Sequence, residues 1–246
     1  MHKLSFLFFT FLFFISCSDD ELNTNELSDT TLATALEDRE IVIDNVIACA
    51  ALNENDDLIS VFLFPREGVT NIQYFETQNS TVDKNDYTNY TSLELPLIDV
   101  FNGFLKKYEV ASSEEKWVII SFEEDGMTHL SNPIRLKQIT KPTEYLPQNV
   151  SIDASTNMPT FSWVDGQFDD TKIYFEVLTN ADNDFISGTY TFEKIFQYYK
   201  LDNVVLNITP GTPETLVQNT VYNFSMLAVS EDNWVNLFTE VEFSLE

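Results

Sequence analysis

The chain has 246 residues, with 40 acidic against 13 basic side chains and a formal charge of −27. Six Gly and eight Pro are too few for a collagen or linker chain, and 43% hydrophobic with 14% aromatic content excludes a disordered one. So acidic a chain repels polyanions, which argues against nucleic acid and against electrostatic binding to anionic lipid.

Met1, His2 and Lys3 form a short positive segment, and residues 4–15 are apolar apart from Ser5 and Thr10. As a helix these twelve residues rise about 18 Å, short of the roughly 30 Å hydrocarbon core, so the run reads as the core of a signal peptide and not as a membrane span. It ends Phe14-Ile15-Ser16-Cys17. That order resembles a bacterial lipobox, in which the Cys is lipidated and becomes the first residue after cleavage. The following Ser18-Asp19-Asp20-Glu21 resembles the acidic surface-export signal of Bacteroidota lipoproteins. The resemblance implies a signal peptide over 1–16, lipid on Cys17, and an outer-membrane protein facing the cell exterior. One acyl chain binds a membrane only marginally, whereas lipoproteins of this class carry several, so the anchor is stable.

Residues 18–38 are rich in Asp, Glu, Asn, Thr and Ser, and 17–40 read as a lipidated acidic tether. Residues 31–38 have the composition for a turn or two of helix, marginal without docking. Asp29-Thr30-Thr31 resembles a permissive bacterial O-glycosylation motif. From Ile41 the pattern changes to apolar runs of strand length: 41–50, 58–64, 72–77, 93–98, 104–110, 117–122 and 134–139. Seven strands in about a hundred residues suit a β-sandwich over 41–141. Leu97, Val100, Phe101, Phe104, Leu105 and Tyr108 also fit helical spacing, although Gly103 interrupts it. Cys49, in Val46-Ile47-Ala48-Cys49-Ala50, reads as a packing residue. Trp117 to Phe122, the turn Glu123-Glu124-Asp125-Gly126, and Ser131 to Leu136 resemble the F strand, turn and G strand of an immunoglobulin-like domain.

Lys141-Pro142-Thr143-Glu144-Tyr145-Leu146-Pro147 reads as a domain junction, stiffened by its two prolines. A second sandwich is expected over 147–246. Phe161-Ser162-Trp163 resembles the B strand of fibronectin type III domains, Ile173 to Val177 the C strand, and Leu216 followed by Tyr222 to Ala228 the approach to the F strand. The resemblance implies that Tyr222 forms a tyrosine corner, its hydroxyl bonded to upstream backbone. The whole is then all-β, two immunoglobulin-like sandwiches in tandem.

Little in the chain suggests catalysis. There is no GxSxG, HExxH, CxxC or Gly-rich phosphate loop, and beyond the leader His129 is the single histidine, expected at an exposed turn or strand start. A carboxylate pair of the glycosidase kind is invisible to sequence spacing. Asn180, Asp182 and Asp184 alternate as in calcium loops, but Phe185 and Thr191 occupy positions where such a loop needs Gly and Glu. No enzyme activity, metal or cofactor is expected. The loop Asp232, Asn233, Trp234, Asn236 offers a flat apolar face flanked by amides and a carboxylate, a set suited to a glycan or a protein partner. The competing reading has Trp234 folding back to cap the sandwich. Tyr190, Phe192, Phe196, Tyr198 and Tyr199 form a second aromatic group, expected as core and edge cover. The functional expectation is a non-catalytic surface lipoprotein that binds a protein or a glycan, with a structural or accessory subunit of an outer-membrane uptake or assembly complex as the alternative and a carboxylate-dependent glycosidase as the lesser one.

Overall fold

Strands rich in Val, Ile, Phe and Tyr dominate the computed structural model, which describes residues 27–245 and holds them in four sheets. The first sheet runs, in spatial order, Leu27–Thr31, Tyr90–Leu93, Thr70–Thr77, Trp117–Glu124, Met127–Ser131 and Ile41–Val46, with Ile134–Arg135 also pairing to Trp117–Glu124. Ala48–Leu52, Leu58–Leu63, Leu105–Ala111 and Ile98–Val100 make the second. The third comprises Glu144–Tyr145, Val235–Ser244, Val221–Ser230, Thr171–Asn180, Phe185–Thr191 and Val204–Asn207. Val150–Asp153, Thr160–Trp163 and Ile195–Gln197 form the fourth.

Side-chain alternation shows how the sheets stack. Along Leu58–Leu63, Ile59, Val61 and Leu63 face Tyr74, Val118, Ile120 and Phe122 of the first sheet, closing the first sandwich. Along Thr171–Asn180, Tyr174 and Leu178 meet Phe161, Trp163 and Phe196 of the fourth sheet, closing the second. Phe175 and Val177 point the other way, into a cluster shared with Ala51, Leu105 and Phe62 of the second sheet. The two sandwiches therefore lie face against face, and the third sheet is covered on both sides. A strand buried on both faces reads as a continuous apolar run, as Ile173 to Leu178 does around its single Glu176.

The all-β, two-sandwich expectation agrees with this architecture, and several details of it are corrected. The proposed tether enters the fold: Leu27–Thr31 pairs with Tyr90–Leu93, and Thr31 Oγ1 accepts from the Thr34 N–H to cap a one-turn helix, Leu32–Ala35. Leu32 and Leu36 are buried on Phe75, Tyr90, Trp117 and Ile119, so this segment covers the outer face of the first sheet. The expected strand 41–50 is two strands, because the chain crosses from the first sheet to the second at Ile47. Run 93–98 is likewise split at Pro96, which has no N–H for a ladder. No helix forms over 97–108; Phe101, Asn102 and Gly103 all take positive φ and turn a hairpin. Asp125 and Gly126, at φ 52° and 81°, make the two-residue turn of the Trp117–Glu124 hairpin. Tyr222 is the expected corner, its hydroxyl accepting from the Val217 N–H at 2.9 Å.

Candidate functional site

Cys17 and the export-signal residues Ser18, Asp19, Asp20 and Glu21 lie outside the described residues. Asp232, Asn233, Trp234 and Asn236 are described, and they form a joint between the sandwiches instead of an open loop. Asn233 has positive φ and turns the hairpin between the last two long strands, which projects Trp234 into the core of the first sandwich. There it has no exposed surface, and its Nε1 donates to the Lys141 carbonyl at 2.7 Å. The Asn233 carbonyl accepts from Ala50 N–H, the Asp232 carbonyl from Arg135 N–H, and the Asp232 carboxylate pairs with Lys137 at 2.6 Å. Asn236 is buried and donates to Asp170 and Thr171. The expectation of a ligand-binding loop is corrected: an indole with no free face cannot stack on a sugar ring.

The junction contributes to the same joint. Thr143 Oγ1 accepts from Leu52 N–H and donates to the Val235 carbonyl, Tyr145 donates to the Leu52 carbonyl, and Glu144–Tyr145 joins the third sheet. At the far end of the interface Phe104 stacks on Phe185 with ring centroids 3.5 Å apart, and Asn102 donates to the Asp182 carbonyl and the Asp184 carboxylate. The Asn180 to Asp184 turn is thus an inter-domain contact, and among the described residues no three His, Cys, Asp or Glu side chains converge as metal ligands.

Three titratable groups sit differently from their sequence reading or in places it could not show. His129 is buried within a strand, not exposed, with Nδ1 2.8 Å from Asn45 Oδ1 and Nε2 3.6 Å from the Glu124 carboxylate. Cys49 faces the space between the second and third sheets, where burial pushes its thiol up to about 12, far from a nucleophile's range. Glu176 is fully buried inside the second sandwich and accepts from Thr189 and Thr191. Its carboxyl is held well above its ordinary value by burial, against which the threonine hydroxyls pull only weakly. Its hydrogen-bonding neighbours are hydroxyls, not a second carboxylate.

Because the folded-state value of Glu176 exceeds its unfolded value near 4.5, the group favours folding at low pH and loses that contribution as pH rises through its folded value. Glu176→Gln removes this pH dependence while keeping an acceptor for the threonines. The variant is expected to have a higher urea midpoint than the parent at pH 8, with the difference closing near pH 4. A difference that is the same at both pH values contradicts a buried, protonated Glu176.

The remaining aromatic group divides. Phe196 and Tyr198 are core, Tyr190 lies at the domain interface, and Phe192 and Tyr199 are exposed, Phe192 at 64%. With Ile195, Leu201, Val205 and Leu206 they place six exposed large apolar side chains in one segment, 192–206. This segment crosses between the fourth and third sheets and ends in Val204–Asn207, the edge strand of the third sheet among the described residues. The sequence pattern did hold a signal for it, since Val204, Val205 and Leu206 form an apolar run without alternation.

No family model matches the chain, and no curated protein sequence matches it. Among solved structures it is similar to the FN1–FN3 domains of chicken CNTN1, at 12% identity and a TM-score of 0.32, covering 85% of this chain and 68% of that one. It is also similar to a two-domain fibronectin type III segment of chicken tenascin (13%, TM-score 0.28, covering 82% and 98%) and to the BSP domain of a biofilm-associated protein (13%, TM-score 0.25, covering 81% and 29%). At these identities and scores none of the likenesses extends to a ligand or a partner.

Proposed function

We propose that this chain is a non-catalytic, lipid-anchored binding protein of the outer-membrane surface, and that its fused sandwiches present segment 192–206 to a protein partner. The observation that carries the binding reading is the concentration of six exposed apolar side chains on that segment beside a sheet edge. On a chain carrying −27, such a patch is where apolar contact outweighs general repulsion. A glycan loses its support with the burial of Trp234. A lasting place in an uptake or assembly complex is the form of the reading that an apolar patch favours, since permanent interfaces are the more apolar ones. Anchoring rests on Ser16-Cys17 after the apolar leader, and outward display on Asp19, Asp20 and Glu21.

One experiment with three forms of the full chain tests both halves. The parent, Cys17→Ala and Phe192→Asp/Leu206→Asp are expressed in an outer-membrane bacterium that processes lipoproteins, fed an alkyne fatty acid, and treated with a surface crosslinker. The parent and the double variant are expected to carry the label, and Cys17→Ala to stay an unlabelled precursor. The parent should give a discrete crosslinked species that the double variant loses. Label on Cys17→Ala contradicts lipidation, and an unchanged crosslink in the double variant contradicts the binding segment.

A further inference from the structure

We propose that the cavity between the second and third sheets is a binding site for a small apolar molecule that carries no negative charge. The cavity measures about 470 Å³, within the ~300–1,000 Å³ typical of small-molecule pockets. Its two walls are Ile47, Cys49 and Phe62 from the first sandwich and Phe175, Leu227 and Val229 from the second. The proposal goes beyond the surface role above and does not depend on it.

The space follows from the way the interface is built. Stacked sheets sit about 10 Å apart and need side chains from both faces to fill the gap. On the second sheet the residue of Ala48–Leu52 that faces the third sheet at the cavity is Cys49, which is too short to reach across. Two contacts hold the sheets in place at opposite ends of Thr171–Asn180. Trp234 lies beyond the Thr171 end, where that residue pairs with Ser230, and the Phe104–Phe185 stack lies at the Thr179 end. Eight residues of strand separate those ends by roughly 27 Å. The sheets cannot close on the short side chain without breaking one of these contacts, so the cavity is a fixed part of the fold.

Charge narrows the ligand class. Arg66 lines the cavity, but its guanidinium is already engaged by both Glu124 carboxylate oxygens and by Asn45. Asp44 and Glu240 also line it, the latter accepting a hydroxyl bond from Ser225. The edge is therefore acidic, and the chain around it carries −27. A carboxylate, sulfonate or phosphate on the ligand meets repulsion with no cation left to receive it. The Cys49 thiol stays uncharged and adds no local charge to the wall.

Two fluorophores that share a ring system and differ by one sulfonate test this: N-phenyl-1-naphthylamine, which is neutral, and 8-anilino-1-naphthalenesulfonate. The protein used starts at Ser18 and keeps every described strand, and Cys49 is its single thiol. The neutral probe is expected to saturate at one site per chain with a blue-shifted emission, and the sulfonate to bind at least tenfold more weakly at low salt. Cys49→Phe fills the wall and should weaken the neutral probe at least tenfold. Saturating neutral probe should also raise the urea midpoint of the parent, a readout that stands even if Cys49→Phe fails to fold. Absence of saturation, a sulfonate that binds as tightly, full binding by a folded Cys49→Phe, or a urea midpoint unmoved by saturating neutral probe each overturns the proposal.

Discussion

Trp234→Ala is expected to cost the protein about 3–5 kcal/mol, as large-to-small changes at buried aromatics do, and to split one unfolding transition into two. The indole belongs to the second sandwich by sequence and to the core of the first by packing, among Val46, Ala50, Val61 and Ile134. Truncation leaves a cavity in that core and removes the donor to the Lys141 carbonyl, which then lies unpaired at about 1–3 kcal/mol if no water replaces it. Both losses fall on the joint. The parent should unfold as one unit in urea, followed by circular dichroism, because the third sheet is covered on both faces. The variant should show two steps and become sensitive to protease between residues 141 and 147, where Thr143 is buried in the parent. A single transition with an unchanged midpoint would mean that the hairpin is not what couples the domains.

Much of the fold was legible from local pattern. The Asp-Gly turn after Glu124, the inward alternation of Phe161 and Trp163, and Tyr222 six residues after Leu216 are short-range signals, and each sits in the structure as its chemistry dictates. The face-to-face packing was legible in principle. Ile173 to Leu178 and Phe224 to Val229 are apolar on both faces, and an open tandem would leave one of those faces in water. A window that asks only for strand or turn misses this, since it does not ask what covers the second face.

The site was less legible, for a physical reason. Hairpin residues such as Asp232 to Asn236 have the same composition whether they meet solvent or another domain, and only the tertiary arrangement decides between them. Composition likewise made residues 17–40 a tether, because Leu32 and Leu36 among mostly polar residues form no recognisable face. The partner of those leucines is an apolar patch on the first sheet that is distant in sequence. The cavity has no local signature at all. It arises because the short Cys49 stands opposite a sheet more than a hundred residues away.

Trp163→Ala provides the contrast to Trp234, with a similar size and a different form. Trp163 is buried in the second sandwich, its ring 5.3 Å edge-on to Tyr174 and 6.2 Å from Phe224, and it touches no residue of the first domain's core cluster. Its removal should again cost about 3–5 kcal/mol, a third or more of a typical domain stability of ~5–15 kcal/mol. The joint is untouched, so the transition should move to lower urea while remaining single, with residues 141–147 as resistant to protease in the folded state as in the parent. Trp163 Nε1 has no partner among the described residues, so the ring gains nothing from its donor. Trp163→Phe keeps most of the apolar contact and deletes that orphaned donor, and it should lose clearly less than Trp163→Ala. If Phe and Ala cost the same, the indole is not packed as described. If Trp163→Ala splits the transition as Trp234→Ala does, coupling runs through the whole second core and not through the hairpin.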